Sequence, residues 1–300
     1  MEMDYDYNVL KEVGKASQEA LQRSKGIVKE GKSLLEIAEA LEKSMKDKGF
    51  ELAFPVNLSI NANAAHYTPA ADDQYVLKGN EVIKVDLGAR KGQYLGDCAL
   101  TIDLSQNQSK LVEAAEKALE NAISIVKAGR PVNEIGREIE KATSASGFKP
   151  IRNLGGHGIS TEDLHADIFI PNFDNGDTTP LREGQVIAIE PFVTDGAGLV
   201  SDGEHLQIFQ KTGPAVPRLN ELRSVSDLID EKYSTYPFAL RWLQREFNIG
   251  EFRLRRTLNE LAGLDALESF PVLVERKNGM VAQAEKEMIV QKDGCELVTV

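Results

Sequence analysis

The stretch that decides the fold, "VIKVDLGARKGQYLGDCALTIDL", runs from Val82 to Leu104. Apolar residues alternate in its first part and are frequent again in its last part, which indicates two β-strands joined by a turn at "ARKGQ". Each strand region carries an aspartate, Asp86 or Asp97, among apolar neighbours. Because a buried carboxylate is costly unless its charge is compensated, these two residues are the first candidates for a functional site.

An internal repeat extends this pattern to a second part of the chain. Segments 27–50 and 125–148, which are offset by 98 residues, are identical at 10 of 24 positions without a gap, and each has the apolar spacing of an amphipathic helix. Farther along, "NEVIKVDLG" around Asp86 is echoed by "EGQVIAIEP" around Glu190. Because side chains alternate across a strand, both acids should lie on the face opposite the neighbouring isoleucines. We therefore predict two related halves, each presenting an acid to a shared cleft.

The ends of the repeated helices carry recognisable signals. Ser33, with Glu36 three residues later, is typical of a capping box, and Pro131 is typical of a first helical turn. Gly49 and Gly147 are predicted to end the two helices in the left-handed conformation. We therefore expect the two halves to begin with the same arrangement.

Histidines and further acids follow in the second half. "NLGGHGISTEDLHADIFIPN" contains His157 in a glycine-rich turn and His165 eight residues later, and "MVAQAEKEMIV" places Glu285 inside a strand-like run. The glycines should let the backbone turn sharply so that His157 points into the cleft, and the lack of a Gly-Lys-Ser/Thr ending argues against nucleotide binding. Converging carboxylates repel one another unless a cation neutralises them, so the pattern predicts a metal centre.

Together these residues resemble the metal site of the type II methionine aminopeptidases, which share the pita-bread fold with prolidases. The resemblance covers nearly the whole chain. It implies that Asp97 and Glu285 bridge two divalent ions, that Asp86 holds one ion, and that His157 and Glu190 hold the other. It also implies an α+β pita-bread fold, in which pseudo-two-fold duplicated αβ halves form a curved antiparallel sheet, with a winged-helix-like helical insertion.

Two segments favour type II over its relatives. "FPVNLSINANAAHYTP", residues 54–69, is similar to the type II entrance segment, and "YPFALRWLQREF", residues 236–247, is similar to the type II helical insertion. The resemblance therefore implies a catalytic domain of residues 1–215 and 270–300 and an insertion subdomain of residues 216–269. Prolidases usually add a separate N-terminal domain, for which the start of this sequence leaves no room.

The chemistry implied by the resemblance is hydrolysis at two divalent ions. Co, Mn, Fe and Zn all suit oxygen ligands with a single imidazole, so the metal stays open. A water shared by two ions loses a proton near neutral pH and attacks the peptide carbonyl as hydroxide, while one ion anchors the free amino group. Glu190 is the implied proton shuttle, and His66 in "AAHYTP" and His165 are the implied hydrogen-bond donors to the scissile amide.

The implied activity is removal of the N-terminal methionine from nascent proteins and peptides before a small second residue. The substrate would contact His66 and His165 and an apolar pocket that includes Phe54, Leu164 and Phe270. Two alternatives remain open. One is a prolidase-like Xaa-Pro peptidase with the same five ligands, and the other is a non-catalytic pita-bread protein that binds RNA or protein.

One segment departs from the family pattern. The family usually has phenylalanine before the last glutamate and histidine-threonine after it, whereas Glu285 is preceded here by Ala284 and followed by Lys286 and Glu287. Changes in the residues that support metal ligands can alter metal affinity about 10- to 100-fold. Gln283 and Glu285 are retained, so we expect the ligand to be kept, whereas the altered supporting residues leave metal preference and rate open.

Composition and charge limit the partners. The net charge of −12 opposes general attraction to nucleic acid, and residues 221–269 contain 9 acids and 7 bases, so we expect no DNA binding. The sequence contains neither an apolar run of about 20 residues nor a signal-peptide pattern, so we expect a cytoplasmic location without membrane association. We also expect a monomer. A contact of Arg253, Arg255 and Arg256 with ribosomal RNA is a separate hypothesis.

The remaining reactive side chains receive structural interpretations. Cys98 and Cys295 lie far apart and outside any Cys-x-x-Cys pair, so we predict buried thiols. His205 in "DGEHLQIF" matches no functional position of the family, and no role beyond a structural one is predicted for it.

Overall fold

The computed structural model describes residues 6–214, 220–247 and 250–300. The first five residues, on which the expected lack of a signal peptide partly rests, and the expected domain boundary at residue 216 lie outside the described residues. Within the described part of the chain, no helix is long and apolar enough to cross a membrane.

The first half of the chain places two helices before a set of short strands. Asp6 caps the first helix, and Ser33 caps the second by accepting a hydrogen bond from the Glu36 N–H, as the sequence predicts. The elements are α1 (Tyr7–Ile27), α2 (Leu34–Lys46), β1 (Glu51–Leu52), β2 (Asn57–Ile60), β3 (Asn63–Ala65), β4 (Val82–Leu87), β5 (Ala89–Lys91), β6 (Tyr94–Leu95) and β7 (Cys98–Asp103).

The second half repeats the helix pair. Pro131 occupies the N-cap position, one residue before the predicted first turn, and Gly49 and Gly147 have φ values of +84° and +81°, which confirms the predicted left-handed helix ends. The elements are α3 (Ser109–Ser124), α4 (Val132–Ala145), β8 (Lys149–Pro150), β9 (Gly155–Ser160), β10 (Asp163–Pro171), β11 (Val186–Ile189), β12 (Phe192–Thr194) and β13 (Val200–Lys211).

The last part contains the helical insertion and the closing strands. The insertion has its own apolar cluster, in which Phe238, Leu243 and Leu258 are fully buried. The elements are α5 (Asn220–Lys232), β14 (Phe238–Ala239), α6 (Leu240–Glu246), α7 (Glu251–Ala262), β15 (Leu267–Glu275), β16 (Val281–Gln283), β17 (Glu285–Gln291) and β18 (Gly294–Leu297). Because β13 pairs with both β14 and β15, the insertion shares a sheet with the rest of the molecule.

The main antiparallel sheet joins the two halves. Its strand order is β10-β9-β11-β17-β7-β4-β2, with β18 paired to β17. The first half therefore contributes β7, β4 and β2 on one side, and the strands of the second half lie on the other. The two sets of strands meet where β17 pairs with β7, and we call this boundary the seam. The arrangement of one set on each side agrees with the predicted duplication.

Each pair of repeated helices packs on its own apolar cluster. Ile83 and Val85 pack in one cluster with residues of α1 and α2, and Ile187 and Ile189 pack in a second cluster with residues of α3 and α4. Because side chains alternate along a strand, the opposite face is left for polar residues. The helices therefore cover one face, and the predicted acids lie on the other.

The connection between the first two strands is longer than predicted. Instead of a single turn at "ARKGQ", β5 and β6 form a small hairpin in which Arg90 pairs with Leu95, and β5 also pairs with β1. This hairpin belongs to a separate three-stranded sheet, so only β4 and β7 run through the main sheet.

Candidate metal centre and active site

Asp86 and Asp97 are neighbours because β4 and β7 are antiparallel. Asp86 lies opposite Ala99 in the strand register, and Asp97 immediately precedes β7. Both side chains line one cavity. The main-chain N–H of Asp97 donates to Oε2 of Glu287 at 3.0 Å, which fixes the backbone at this ligand position.

The second half supplies two more carboxylates to the same cavity. Glu285 begins β17 and pairs with Ala99 of β7, which brings it next to the aspartates. Glu190 immediately follows β11, and the Nε2 of Gln283 donates to its Oε2 at 3.2 Å. The strand register therefore brings all four predicted acids to the seam between the halves.

His157 completes this group from β9. Its Nε2 lies 3.5 Å from Oδ2 of Asp97 and 3.9 Å from Oε1 of Glu190. One ligand atom from each of Asp97, His157 and Glu285 lies within 4.8 Å of the other two, which is close enough for a shared cation. Among the described residues, no other group of three such side chains meets this distance.

The electrostatics of the cluster favour a cation. Burial raises the pKa of Asp86 to about 7. Burial and then repulsion from neighbouring acids raise the pKa values of Asp97, Glu190 and Glu285 well above the usual range. A positive ion would remove this cost, because it favours the charged form of each carboxyl group.

Unpaired atoms point to the same conclusion. Oδ1 of Asp86 and Oε2 of Glu285 are buried and have no hydrogen-bond partner within the described residues. Burial also lowers the pKa of His157 to about 3, so its imidazole is neutral near pH 7 and able to ligate a metal. The residues present therefore fit a divalent metal site.

The glycines around His157 have a role that differs from the predicted one. "LGGHG" does not form a turn, because Gly155–Ser160 is strand β9. A Cβ atom on Gly156 would lie 2.2 Å from the carbonyl oxygen of Ala188 in β11. The glycine therefore allows β9 to approach β11 closely, and this approach holds His157 near Glu190.

The other two predicted histidines approach the cluster from its rim. His165 lies in β10, not in a loop, and its ring centroid is 4.5 Å from that of His157. A β-bulge between Asp163 and Ala166 alters the local side-chain direction. His66 contacts the ring of Phe270 edge-on at 5.7 Å, and burial lowers its pKa to about 4, with a further decrease caused by His165.

The predicted pocket residues lie together in the same cavity. Phe54, Leu164 and Phe270 line it with all five predicted ligands and both rim histidines. Sequence reasoning missed several other lining residues, which come from both halves and from the insertion: Asn57, Ala65, Leu154, Phe192, Ile208 and Pro237. Asn57 could have been found from the strand pairing, because it lies opposite Asp86.

The departure after Glu285 places an additional acid beside the site. Glu287 is fully buried, and its Oε1 has no partner within the described residues. Burial raises the pKa of this carboxyl group well above its usual range. Its main chain is held by Thr299, whose Oγ1 accepts the Glu287 N–H at 2.9 Å. The change therefore acts on Asp97 through the hydrogen bond to its N–H.

The residues assigned structural roles agree only in part with expectation. Cys98 is a buried free thiol, whereas the free thiol of Cys295 is only partly buried. His205 supports the segment after His66, because its Nε2 lies 2.8 Å from the carbonyl oxygen of Thr68 and its ring stacks on Tyr67.

Comparison with known proteins identifies the family to which this site belongs. The sequence matches metallopeptidase family M24 over residues 8–213. The chain belongs to this family. It is 42% identical over 295 residues to the methionine aminopeptidase of Pyrococcus abyssi, covering 98% of this chain and 99% of that protein. It is 37% identical to the methionine aminopeptidase of Methanocaldococcus jannaschii, covering 98% of each chain. As an M24 metallopeptidase, it uses divalent metal.

Solved structures confirm the pita-bread fold of this M24 member. A thermophilic Arx1 superposes with a TM-score of 0.85 at 18% identity, covering 98% of this chain and 91% of the other. Methionine aminopeptidase from Rickettsia prowazekii gives 0.71 at 18% identity over 100% and 99% of the chains. Prolidase from Pyrococcus furiosus gives 0.63 at 15% identity and is covered over only 65% of its length. The shared fold alone does not choose among these proteins.

Proposed function

We propose that this M24 metallopeptidase is a methionine aminopeptidase, which removes the N-terminal methionine from proteins and peptides whose second residue is small. The observation that carries the proposal is one cavity in which a carboxylate-rich cluster adjoins an apolar pocket. The near full-length relationship to methionine aminopeptidases supports the choice of substrate.

Two divalent ions, from among Co, Mn, Fe and Zn, are the proposed cofactors. Asp97 and Glu285, which lie next to the seam, would hold both ions, Asp86 would help to hold one of them, and His157 and Glu190 would help to hold the other. When bound, the ions supply Lewis acidity that lowers the pKa of a water molecule and anchors the free amine of the substrate.

The protein side chains then position the substrate and move protons. Glu190 is the proposed proton shuttle, and its hydrogen bond from Gln283 orients the carboxylate. Since His66 and His165 have lowered pKa values, they are neutral near pH 7 and donate N–H groups to the scissile amide or to the developing oxyanion.

Selectivity for methionine is proposed to come from the apolar wall. Phe54 and Leu164 are buried, and Phe270 packs against His66. An unbranched thioether side chain fills such an irregular apolar space well. Pro237 brings the insertion to the same wall, which limits the space left for the second residue of the substrate.

The proposed partners follow from this substrate. N-termini of nascent chains arise at the site of protein synthesis, so the proposed location is the cytoplasm. The proposed oligomeric state is a monomer, whose cavity is lined by residues from both halves and from the insertion. The hypothesis of a ribosomal RNA contact is less favoured, because Arg255 and Arg256 are already paired with Glu251 and Glu260.

A peptide panel tests this proposal. The purified chain, supplied with Mn(II) or Co(II), should release the first residue from Met-Ala peptides, much less from Met-Lys peptides, and not from Ala-Pro. Preference for Ala-Pro would favour a prolidase-like peptidase. Binding of fewer than one transition ion per chain, together with no hydrolysis of any peptide, would favour a non-catalytic binding protein.

A further inference from the structure

The segment after β3 carries a functional histidine in an unusual backbone conformation. We name this segment, His66–Pro69, the histidine loop. His66 has φ of +64°, in the left-handed region that non-glycine residues rarely adopt. Such a conformation persists only where the surrounding structure imposes it. The contacts that hold the histidine loop therefore determine where the His66 ring lies.

Thr68 is the most constrained residue of the histidine loop. Its hydroxyl donates to the carbonyl oxygen of Val56 at 2.8 Å and accepts from Nη1 of Arg241 at 2.6 Å. Its carbonyl oxygen lies 2.8 Å from Nε2 of His205. Thr68 is fully buried, so these hydrogen bonds do not compete with bulk water.

Arg241 brings the helical insertion into this network. It lies in α6, its side chain is fully buried, and its Nη1 also donates to the carbonyl oxygen of Pro69 at 3.1 Å. Its Nη2 forms an ion pair with Glu42 of α2, and Trp242 donates from Nε1 to the other carboxylate oxygen at 3.1 Å. One guanidinium group therefore joins the insertion, the first repeated helix pair and the histidine loop.

We propose that Arg241 and Thr68 form a clamp through which the helical insertion positions His66 for the reaction. Arg241 is a positioning residue, because it acts through the backbone of the histidine loop and does not line the cavity. The planar guanidinium donates hydrogen bonds to Glu42 and to the histidine loop at the same time, which a single ammonium group cannot do with the same geometry. This inference rests on the proposed function, in which His66 donates to the substrate.

The neighbouring ion pair provides a matched control. Arg245 lies one turn farther along α6 and pairs with Glu39 of the same partner helix α2, but both side chains are partly exposed. Among the described residues, no hydrogen bond or ion pair joins Arg245 to the histidine loop. Loss of Arg245 therefore removes an ion pair between the insertion and α2 without removing the clamp.

The decisive variants are Thr68→Val and Thr68→Ser. Valine keeps the shape of threonine but removes the hydroxyl, whereas serine keeps it. We expect Thr68→Val to lower kcat for a Met-Ala peptide about tenfold or more, with little change in KM and no change in the number of bound Mn(II) ions, and we expect Thr68→Ser to retain most of kcat. Arg241→Gln should reproduce the loss of kcat, and Arg245→Gln should not.

Amide hydrogen exchange supplies a readout that does not depend on turnover. Thr68→Val and Arg241→Gln should accelerate exchange in a peptide that covers the histidine loop, relative to Thr68→Ser and Arg245→Gln. If Arg241→Gln does not fold, the comparison of Thr68→Val with Thr68→Ser still tests the clamp, because both of these variants keep the ion pair between Arg241 and Glu42. Equal kcat and equal exchange in Thr68→Val and Thr68→Ser would overturn the clamp. An inactive wild-type chain would instead overturn the proposed function, and the exchange data would still test the clamp.

Discussion

The two halves of the main sheet are built alike but contribute differently to the site. β4 and β7 mirror β11 and β17 across the seam, and each half supplies two acids. The flanking strands differ, because β2 presents Asn57 to the cavity whereas β9 presents His157. The duplicated frame therefore provides the negative charge, and an imidazole on only one of these two flanking strands makes the two ends of the candidate metal centre chemically different.

The repeated helices show the same divergence. Glu42 and Glu140 occupy matching positions, 98 residues apart. Glu42 is buried against Arg241 of the insertion, whereas Glu140 is half-buried, accepts from the Asp174 N–H at 3.3 Å and lies 3.4 Å from Arg152. The first half has thus become the support for the insertion, and the second half retains a surface contact at this position.

Single replacements of the two acids in the first half, Asp97 and Asp86, should have the largest effect on metal binding and should separate their roles. Asp97 lies against the seam and Asp86 one strand farther from it. We expect Asp97→Ala to abolish binding of two metal ions together and to reduce peptide hydrolysis to background. We expect Asp86→Ala mainly to lower the affinity for one of the two ions. Isothermal titration with Mn(II) measures both variants. Equal losses of one ion in the two variants would contradict the proposed division between bridging and terminal ligands.

The rim histidines test whether the halves contribute equally to the oxyanion. His66→Ala and His165→Ala should each lower kcat by about 10²- to 10³-fold, because each removes a proposed donor to developing charge. Metal stoichiometry should remain unchanged. Steady-state kinetics with a Met-Ala peptide gives the comparison. A variant that raises only KM would show that its histidine binds substrate without stabilising the transition state.

Stability of the metal-free protein should depend on pH in a defined direction. The pKa of Asp86 is raised from 3.8 to about 7, so the folded protein retains a proton that the unfolded chain releases, and this contribution to stability is lost as pH rises from 3.8 to about 7. His66 acts oppositely, since its pKa is lowered to about 4 and its contribution is lost only as pH falls from 6.5 toward 4. Above pH 6.5, the carboxyl groups therefore determine how the stability of the metal-free protein changes with pH.

Thermal unfolding between about pH 6.5 and 8.5 measures this effect. The Tm of the metal-free protein should decrease across the range, and saturating Mn(II) should remove most of the decrease, because the cation binds the charged carboxylates. Parallel curves with and without Mn(II) would show that these acids do not bind the added metal.

Replacing the additional acid beside the seam, Glu287, should have the smallest effect on metal binding. Glu287→Thr removes a buried carboxylate and its hydrogen bond to the Asp97 N–H, so we expect Mn(II) affinity to fall by about 10- to 100-fold with stoichiometry retained. Glu296→Gln, on the half-buried strand β18, is the control and should leave affinity unchanged. Tighter binding in Glu287→Thr would mean that this acid opposes the metal.

The sequence predicts the duplicated frame because the physical signals are local. Alternating apolar residues mark β4 and β11, and the acids that follow this alternation must face away from the core. The repeat identifies Glu190 as the counterpart of Asp86. The pairing of β17 with β7 also agrees with Glu285 as the counterpart of Asp97.

Features that depend on distant contacts could not be predicted in this way. The glycines of β9 suggest a turn when read locally, and only the distance from Gly156 to β11 shows that they permit close strand packing. The role of His205 depends on Thr68, which is 137 residues away in the chain. Arg241 is similarly uninformative in sequence, because its partner Glu42 lies 199 residues earlier.

The central seam has a consequence for the timing of activity. Asp97 and Glu285 meet through neighbouring strands although 188 residues separate them in the chain. During translation, the first half can collapse on its own helices, but the seam must wait until β17 has emerged from the ribosome. If Asp97 and Glu285 both hold metal as proposed, a newly made molecule gains its catalytic capacity only at the end of its own synthesis, and a polypeptide that is terminated before β17 never gains it.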